Sequence, residues 1–168
     1  MAALGWIRWY MWVVPVLIGL VFVGAGGYMI SEGLAAKNEV HNTLVAEQII
    51  TSDDASIPGA LVDSAATARA QEELIRAHTL GEMGPYSGME RDDPQRETYL
   101  KGVTLRNALN MAVLGFNVSN LVIGIGVIVV VMGLTNITVM APVLFWTRGE
   151  VPTHRRLPAA ATAAGSIR

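Results

Sequence analysis

NALNMAVLGFNVSNLVIGIGVIVVVMGLTNITVMAPVLFWT, residues 107–147, is a run of 41 positions without a charged side chain. How many times it crosses a bilayer decides the fold. A helix needs about 20 apolar residues to cross a hydrocarbon core roughly 30 Å thick, so the run holds one long span or two short ones. Its most apolar part is Leu121–Leu134. Beyond it come Thr135, Asn136 and Thr138, then VMAPVLFW with Pro142 inside. About ten residues interrupted by proline are too few to cross. The run therefore reads as one transmembrane helix over residues 108–134, a turn, and an interfacial segment over residues 135–147.

A second uncharged stretch, residues 9–31, supplies the other span, placed at residues 11–31. Its apolar core of about 20 residues exceeds the 7–15 usual in a cleaved signal peptide, which makes it a signal anchor. Composition agrees: 15% of the 168 residues are charged, against about 25% in soluble domains.

Charge sets the orientation. Residues 32–106 carry 13 of the 14 acids and 7 of the 12 bases, a net of −6, and the two tails carry +4. Basic residues beside spans stay in the cytoplasm. Both the N-tail (1–10) and the basic, Ala- and Pro-rich C-tail (148–168) are therefore expected in the cytoplasm, with residues 32–107 outside. A hairpin also gathers Trp6, Trp9, Trp12 and Trp146 at one interface, where aromatic belts form. The expected fold is thus an all-α membrane protein of the cytoplasmic membrane, a two-transmembrane-helix hairpin with a mainly helical extracytoplasmic insertion.

That insertion has no cysteine and only two aromatics, Tyr86 and Tyr99. Small domains without staples struggle to build a core, so it is expected to pack as helices continuous with the spans or against a partner. The first span should continue through SEGLAAKNEVHNTL. EQIITSDD reads as a short extended piece and turn, and SIPGA as loop. The stretch from Asp63 to Met83 reads as a helix capped by Asp63 or Ser64, with Ala70, Leu74, Ala77 and His78 on one face. Gly84-Pro85 ends it.

The densest charge lies in GMERDDPQRETYL, residues 88–100. Asp93 followed by Pro94 is a helix start: the carboxylate accepts orphan amide hydrogens, and proline suits the first helical position. Glu97 sits where the helix dipole favours an acid. The cluster is read as a cap on a helix that runs on through the second span.

NTLVAEQIITSDDA, AQEELIRAHTL and YSGMERDDPQRETYLKGVTLRNAL together resemble a group of small actinobacterial two-span membrane proteins, over about Asn42 to Leu134. Members often carry a label as aromatic ring-opening dioxygenases. The resemblance implies the layout of signal anchor, outer helical segment and final span. Ring opening on non-haem iron needs two His and a carboxylate with open positions. Only His41 and His78 lie in the outer segment, on separate helices. No enzyme activity, catalytic residue or cofactor is expected.

Three other readings remain. His78, Met83 and Met89 near carboxylates could hold copper as soft ligands. A small oligomeric channel or transport component would use polar residues in the spans. Gly19, Gly26 and Gly33 recur every seven residues, as do Ser119, Gly126 and Gly133, with Gly115 nearby. Small residues let membrane helices approach closely, either to each other or to another protein. Asn107, Asn110, Asn117 and Asn120 form a polar stripe, of which Asn117 and Asn120 are the deeper contact candidates. The leading expectation is a non-catalytic accessory or assembly subunit. Its partners would be the lipid bilayer, other membrane subunits and possible further copies of itself, with no nucleic acid.

Overall fold

A computed structural model describes residues 10–147. The expectations for both tails, Trp6 and Trp9 included, lie outside the described residues. The described chain is helical, with α1 over Val13–Ala46, α2 over Ala65–Arg76, α3 over Gln95–Thr135 and α4 over Ala141–Thr147. A π-helical turn, Ala77–Glu82, follows α2, a 3-10 turn spans Tyr86–Gly88, and a second π-helical segment, Asn136–Met140, joins α3 to α4. Two helices are long and apolar enough to cross a membrane: α1, and the continuous rod Gln95–Thr147 of 53 residues.

The rod corrects the expected turn after Leu134, because the chain stays helical to Thr147. The polar residues that suggested a turn satisfy themselves against the helix. Thr135 Oγ1 donates to the Val131 carbonyl at 2.8 Å, Asn136 Nδ2 to Met132 at 2.9 Å and Thr138 Oγ1 to Leu134 at 2.8 Å. Proline clashes with the carbonyl four residues back. For Pro142 that residue is Thr138, and the wider π turn lies there.

The two long helices run antiparallel and meet along a seam with a seven-residue repeat. Gly19 faces Gly133, Gly26 faces Gly126 and Gly33 faces Ser119, each step of seven up α1 matched by seven down α3. Into the hole over each glycine goes a β-branched side chain of the other helix. Val23 covers Gly133 and Ile30 covers Gly126, while Ile123, Val130 and Ile137 cover Gly33, Gly26 and Gly19. A seven-residue period keeps one face in contact with its partner all along the pair.

Beyond Gly33 and Ser119 along the pair lies the small apolar core, Leu44, Val62, Ala68, Leu109, Ala112, Val113 and Phe116. The end of α1, the loop and α2 close over the first half of α3. The loop is pinned by an antiparallel bridge between Ile50 and Leu61, with Thr51 N donating to the Ala60 carbonyl and Val62 N to Ile49, both at 2.8 Å. Gly59, at φ +63°, makes its turn. Ser64 caps α2 in a reciprocal box with Thr67, which decides between Asp63 and Ser64. The buried face of α2 differs from the one read from the sequence. Thr67, Ala68, Gln71 and Glu72 are buried along with Ala70, and so is Thr79 in the π turn, whereas Ala77 and His78 are exposed. The π turn shifts the register there, and Gly102 of α3 admits it: a Cβ on Gly102 would lie 2.6 Å from Thr79 Cγ2.

Candidate functional site

The seam answers one question about association. At Gly26 a Cβ would meet the Gly126 carbonyl oxygen at 2.6 Å, and at Gly126 it would meet the Gly26 carbonyl at 2.8 Å. Both stripes are thus consumed by each other, backbone against backbone. Gly115 is taken up as well, with Val40 Cγ2 3.0 Å from where its Cβ would stand. Gly19, Gly26, Gly33, Gly115, Ser119, Gly126 and Gly133 are therefore internal packing positions. Of the two uses the sequence left open, packing of the spans on each other is the one these contacts display. Ser119 Oγ donates to the Gly115 carbonyl at 2.8 Å and presents no hydroxyl to a neighbour.

The sequence pattern held the other half of this seam, which the glycine reading missed. Val16, Val23 and Ile30, and likewise Ile123, Val130 and Ile137, keep the same period of seven. In spans full of Val and Ile that period is hard to see without the antiparallel alignment.

The asparagines separate. Asn120 Oδ1 accepts from Lys37 Nζ at 3.1 Å, a bond between the two long helices. Asn110 Nδ2 reaches the carboxylate of buried Glu72 at 3.5 Å. Asn107 and Asn117 are exposed.

The charged stretch before α3 is a structural joint. Asp93 Oδ1 accepts from Gln95 N at 2.8 Å, with Pro94 directly ahead of the helix. Arg96 Nη1 donates to the carbonyls of Met89 and Glu90 at 2.9 and 3.1 Å. Its guanidinium lies 4.2 Å from the Tyr86 ring centre, and Tyr86 in turn packs on Tyr99 at 5.7 Å. One arginine therefore holds the turn back against the first coil of α3, through two carbonyls and a cation–π contact. Glu97 turns to Lys101, 2.7 Å away and exposed. Asp93 and Glu97 thus turn to separate partners, and among the described residues the acids form no group of three that could hold a metal.

His78 sits exposed on the π turn beside Glu82, 3.8 Å away, with Met83 and Met89 further along and partly buried. His41 is held elsewhere, its Nδ1 2.7 Å from the Asp63 carbonyl. Among the described residues no three His, Asp or Glu side chains gather as a metal site would require. Searches of protein-family models, curated proteins and solved structures give no match to the chain.

Proposed function

We propose that the chain is an integral protein of the cytoplasmic membrane, a two-span hairpin that acts without catalysis as an accessory or assembly subunit of a larger complex. The observation that carries the membrane part is where the apolar side chains go. Of the most apolar 18-residue stretch in each long helix, only 17% in α1 and 11% in the 53-residue rod is buried. A helix in the core of a soluble protein hides such a stretch. Here the seam uses one narrow stripe, and Leu17, Val21, Leu121 and Ile128 face outward. Lipid is the solvent that suits them.

The antiparallel register carries the limits of one span to the other. Residues 11–31 stand at the height of residues 121–141, which favours setting the second span there over the 108–134 expected from hydropathy alone. The T-shaped contact of Trp12 with Phe145, 5.8 Å between centres, then falls at the inner interface. Asn117 and Asn120 fall at the outer boundary, not inside the hydrocarbon. The positive-inside rule places both tails in the cytoplasm and the acidic segment outside.

Association is supported by apolar surface above that boundary, where lipid does not reach. Met111 is 73% exposed and Leu100 48%, with Leu80 and Leu105 also open. On the outer half of α3 and the π turn after α2, this is surface for a protein neighbour. The same outer-helix layout is what the likeness to small actinobacterial two-span proteins implies. Reporter fusions after Arg168 and within residues 53–58, together with alkaline extraction, test the membrane part: a C-terminal reporter active only outside the cell overturns it. Crosslinking in cells through a photoreactive residue at position 111 tests association. A chain that crosslinks to no protein there and purifies as a lone 18.0 kDa species overturns that part.

A further inference from the structure

The end of α1 and the first half of α3 form a pair with two flanks. α2 covers one of them, where Glu72 meets Asn110 and Thr79 meets Gly102. The other flank is an open groove of about 510 Å³, with Val40, Leu105 and Ala108 among its apolar walls. A second hollow shares Leu105 and Ala108 and carries the groove on to Leu100. No residue of α2 lines either one. The main groove has two acids in its lining, Glu39 and Glu47, and no base. We propose that this groove receives the outer face of α2 from a second copy of the chain.

Charge and height single out that face. Glu39, Glu47, Arg69 and Arg76 are all exposed, and none of the four side chains has a hydrogen bond or ion pair among the described residues. The next acid along the groove, Glu97, is already held by Lys101 at 2.7 Å. The register that sets Gly33 level with Ser119 puts Glu39 level with Val113 and Glu47 level with Leu105. On α2, the contacts of Glu72 with Asn110 and of Thr79 with Gly102 put Arg69 level with Val113 and Arg76 level with Leu105. The two arginines therefore stand at the heights of the two glutamates, on the opposite flank of the molecule. Copies in one membrane share their vertical direction and depth, so heights within one chain are also heights between neighbours. A sideways approach brings Arg69 to Glu39 of the next copy, and Arg76 to its Glu47.

The spacing agrees. Glu39 and Glu47 are eight residues apart, about 12 Å, and Arg69 and Arg76 seven, about 10.5 Å. Long side chains absorb that difference, whereas one cation is too small to serve both acids. Glu73, between the arginines, comes level with Thr43, an uncharged position. Apolar contact accompanies the charges: Leu80, 43% exposed, stands level with Lys101 at the second hollow. The contact joins unlike faces, so copies add head to tail into a ring or a row. The equal heights rest on the membrane placement above.

The full chain, in membranes of cells that express it, provides the test. It has no cysteine, so Thr43→Cys on the groove and Glu73→Cys on α2 add the only thiols, and a short bismaleimide joins them where they meet. With both substitutions in one chain, a ladder at multiples of 18.0 kDa is expected; each alone gives none. Arg69→Glu with Arg76→Glu sets like charges against each other and lowers the crosslinked fraction by at least about tenfold. Adding Glu39→Arg and Glu47→Arg restores the ladder. All four positions are exposed, so each change alone shifts the Tm by under about 2 °C and misfolding is excluded as the cause. Absence of a ladder overturns the proposal, as does a ladder that charge reversal leaves unchanged. So does a crosslink between copies from either cysteine alone, or one from Thr43→Cys to a different protein only. Alkaline extraction of the same membranes separates the two readings. A chain that stays in the membrane without a ladder fails as an oligomer alone; one that is extracted yet forms the ladder fails only as an integral membrane protein.

Discussion

Adding one methyl group at two neighbouring glycines should have opposite results. Gly26 and Gly24 lie half a turn apart on α1. A Cβ on Gly26 would stand 2.6 Å from the Gly126 carbonyl oxygen, 2.8 Å from Val130 Cγ2 and 2.9 Å from Val130 N, whereas a Cβ on Gly24 meets nothing within 4 Å. Two of the three obstacles at Gly26 are backbone atoms, which no rotamer change can remove. The helices must move apart until the contact relaxes toward the usual 3.5–4.0 Å, a shift of about 1 Å. Separation along the seam loosens Val23, Ile30 and Val130 in their holes together. Overpacking of this kind costs about 1–3 kcal/mol, or a Tm lower by about 2–12 °C for a chain of this size. Gly24→Ala instead removes a flexible residue from a helix and gains up to about 1 kcal/mol. Thermal unfolding of both variants in one detergent, followed by circular dichroism, reads the difference. A Gly26→Ala protein that melts at or above Gly24→Ala would refute the backbone-to-backbone seam.

Other substitutions separate fixed joints from ornament. Arg96→Ala should free the turn at residues 84–92 and cost about 1–3 kcal/mol, since hydrogen bonds from a charged donor are lost along with the Tyr86 contact; faster limited proteolysis there is the readout, and Arg96→Lys should not restore it because a lysine lacks the planar fork. Ser64→Ala should cost about 0.5–2 kcal/mol by uncapping α2, seen as a lower Tm. Glu97→Gln should change stability by less than about 0.5 kcal/mol, a Tm shift under about 2 °C, because the pair with Lys101 is exposed. Arg106→Met should leave stability level or raise it, since Arg106 Nη1 is buried without a hydrogen-bond partner and an orphan donor costs about 1–3 kcal/mol; a clear drop in Tm would show that the guanidinium has a role its contacts do not reveal.

How much of this was legible beforehand depends on the range of the interaction. The long apolar runs, the extension of α1 past Ser31, a cap at Asp63 or Ser64 and the Gly84-Pro85 stop are local, and each can be read within a few residues. The glycine repeat was visible too. Its meaning was not, because a stripe of small residues serves a partner in the same chain or in another equally well. Only the facing of Gly26 with Gly126 decides. The turn expected at Thr135–Thr138 failed for a different reason. Hydroxyl and amide side chains there bond to carbonyls one turn back, so residues that punctuate a soluble chain can remain inside an apolar helix. The bond of Lys37 to Asn120 was beyond sequence reasoning altogether, since the two positions meet only after both long helices have packed. So was the hold of Arg96 on Tyr86, which depends on where a turn folds back.

A seam built from notches and bulges also limits how the pair can move. Sliding one rod by a single residue, about 1.5 Å, would drive Val130 out of the hollow over Gly26 and against a position that has a side chain of its own. The next equivalent alignment lies seven residues away, about 10.5 Å along the axis, and gives up an entire layer of contact. Piston motion is therefore closed to this molecule. A force applied at the end of the pair near Ala46 and Gln95 would reach its other end only by tilting both rods as one body.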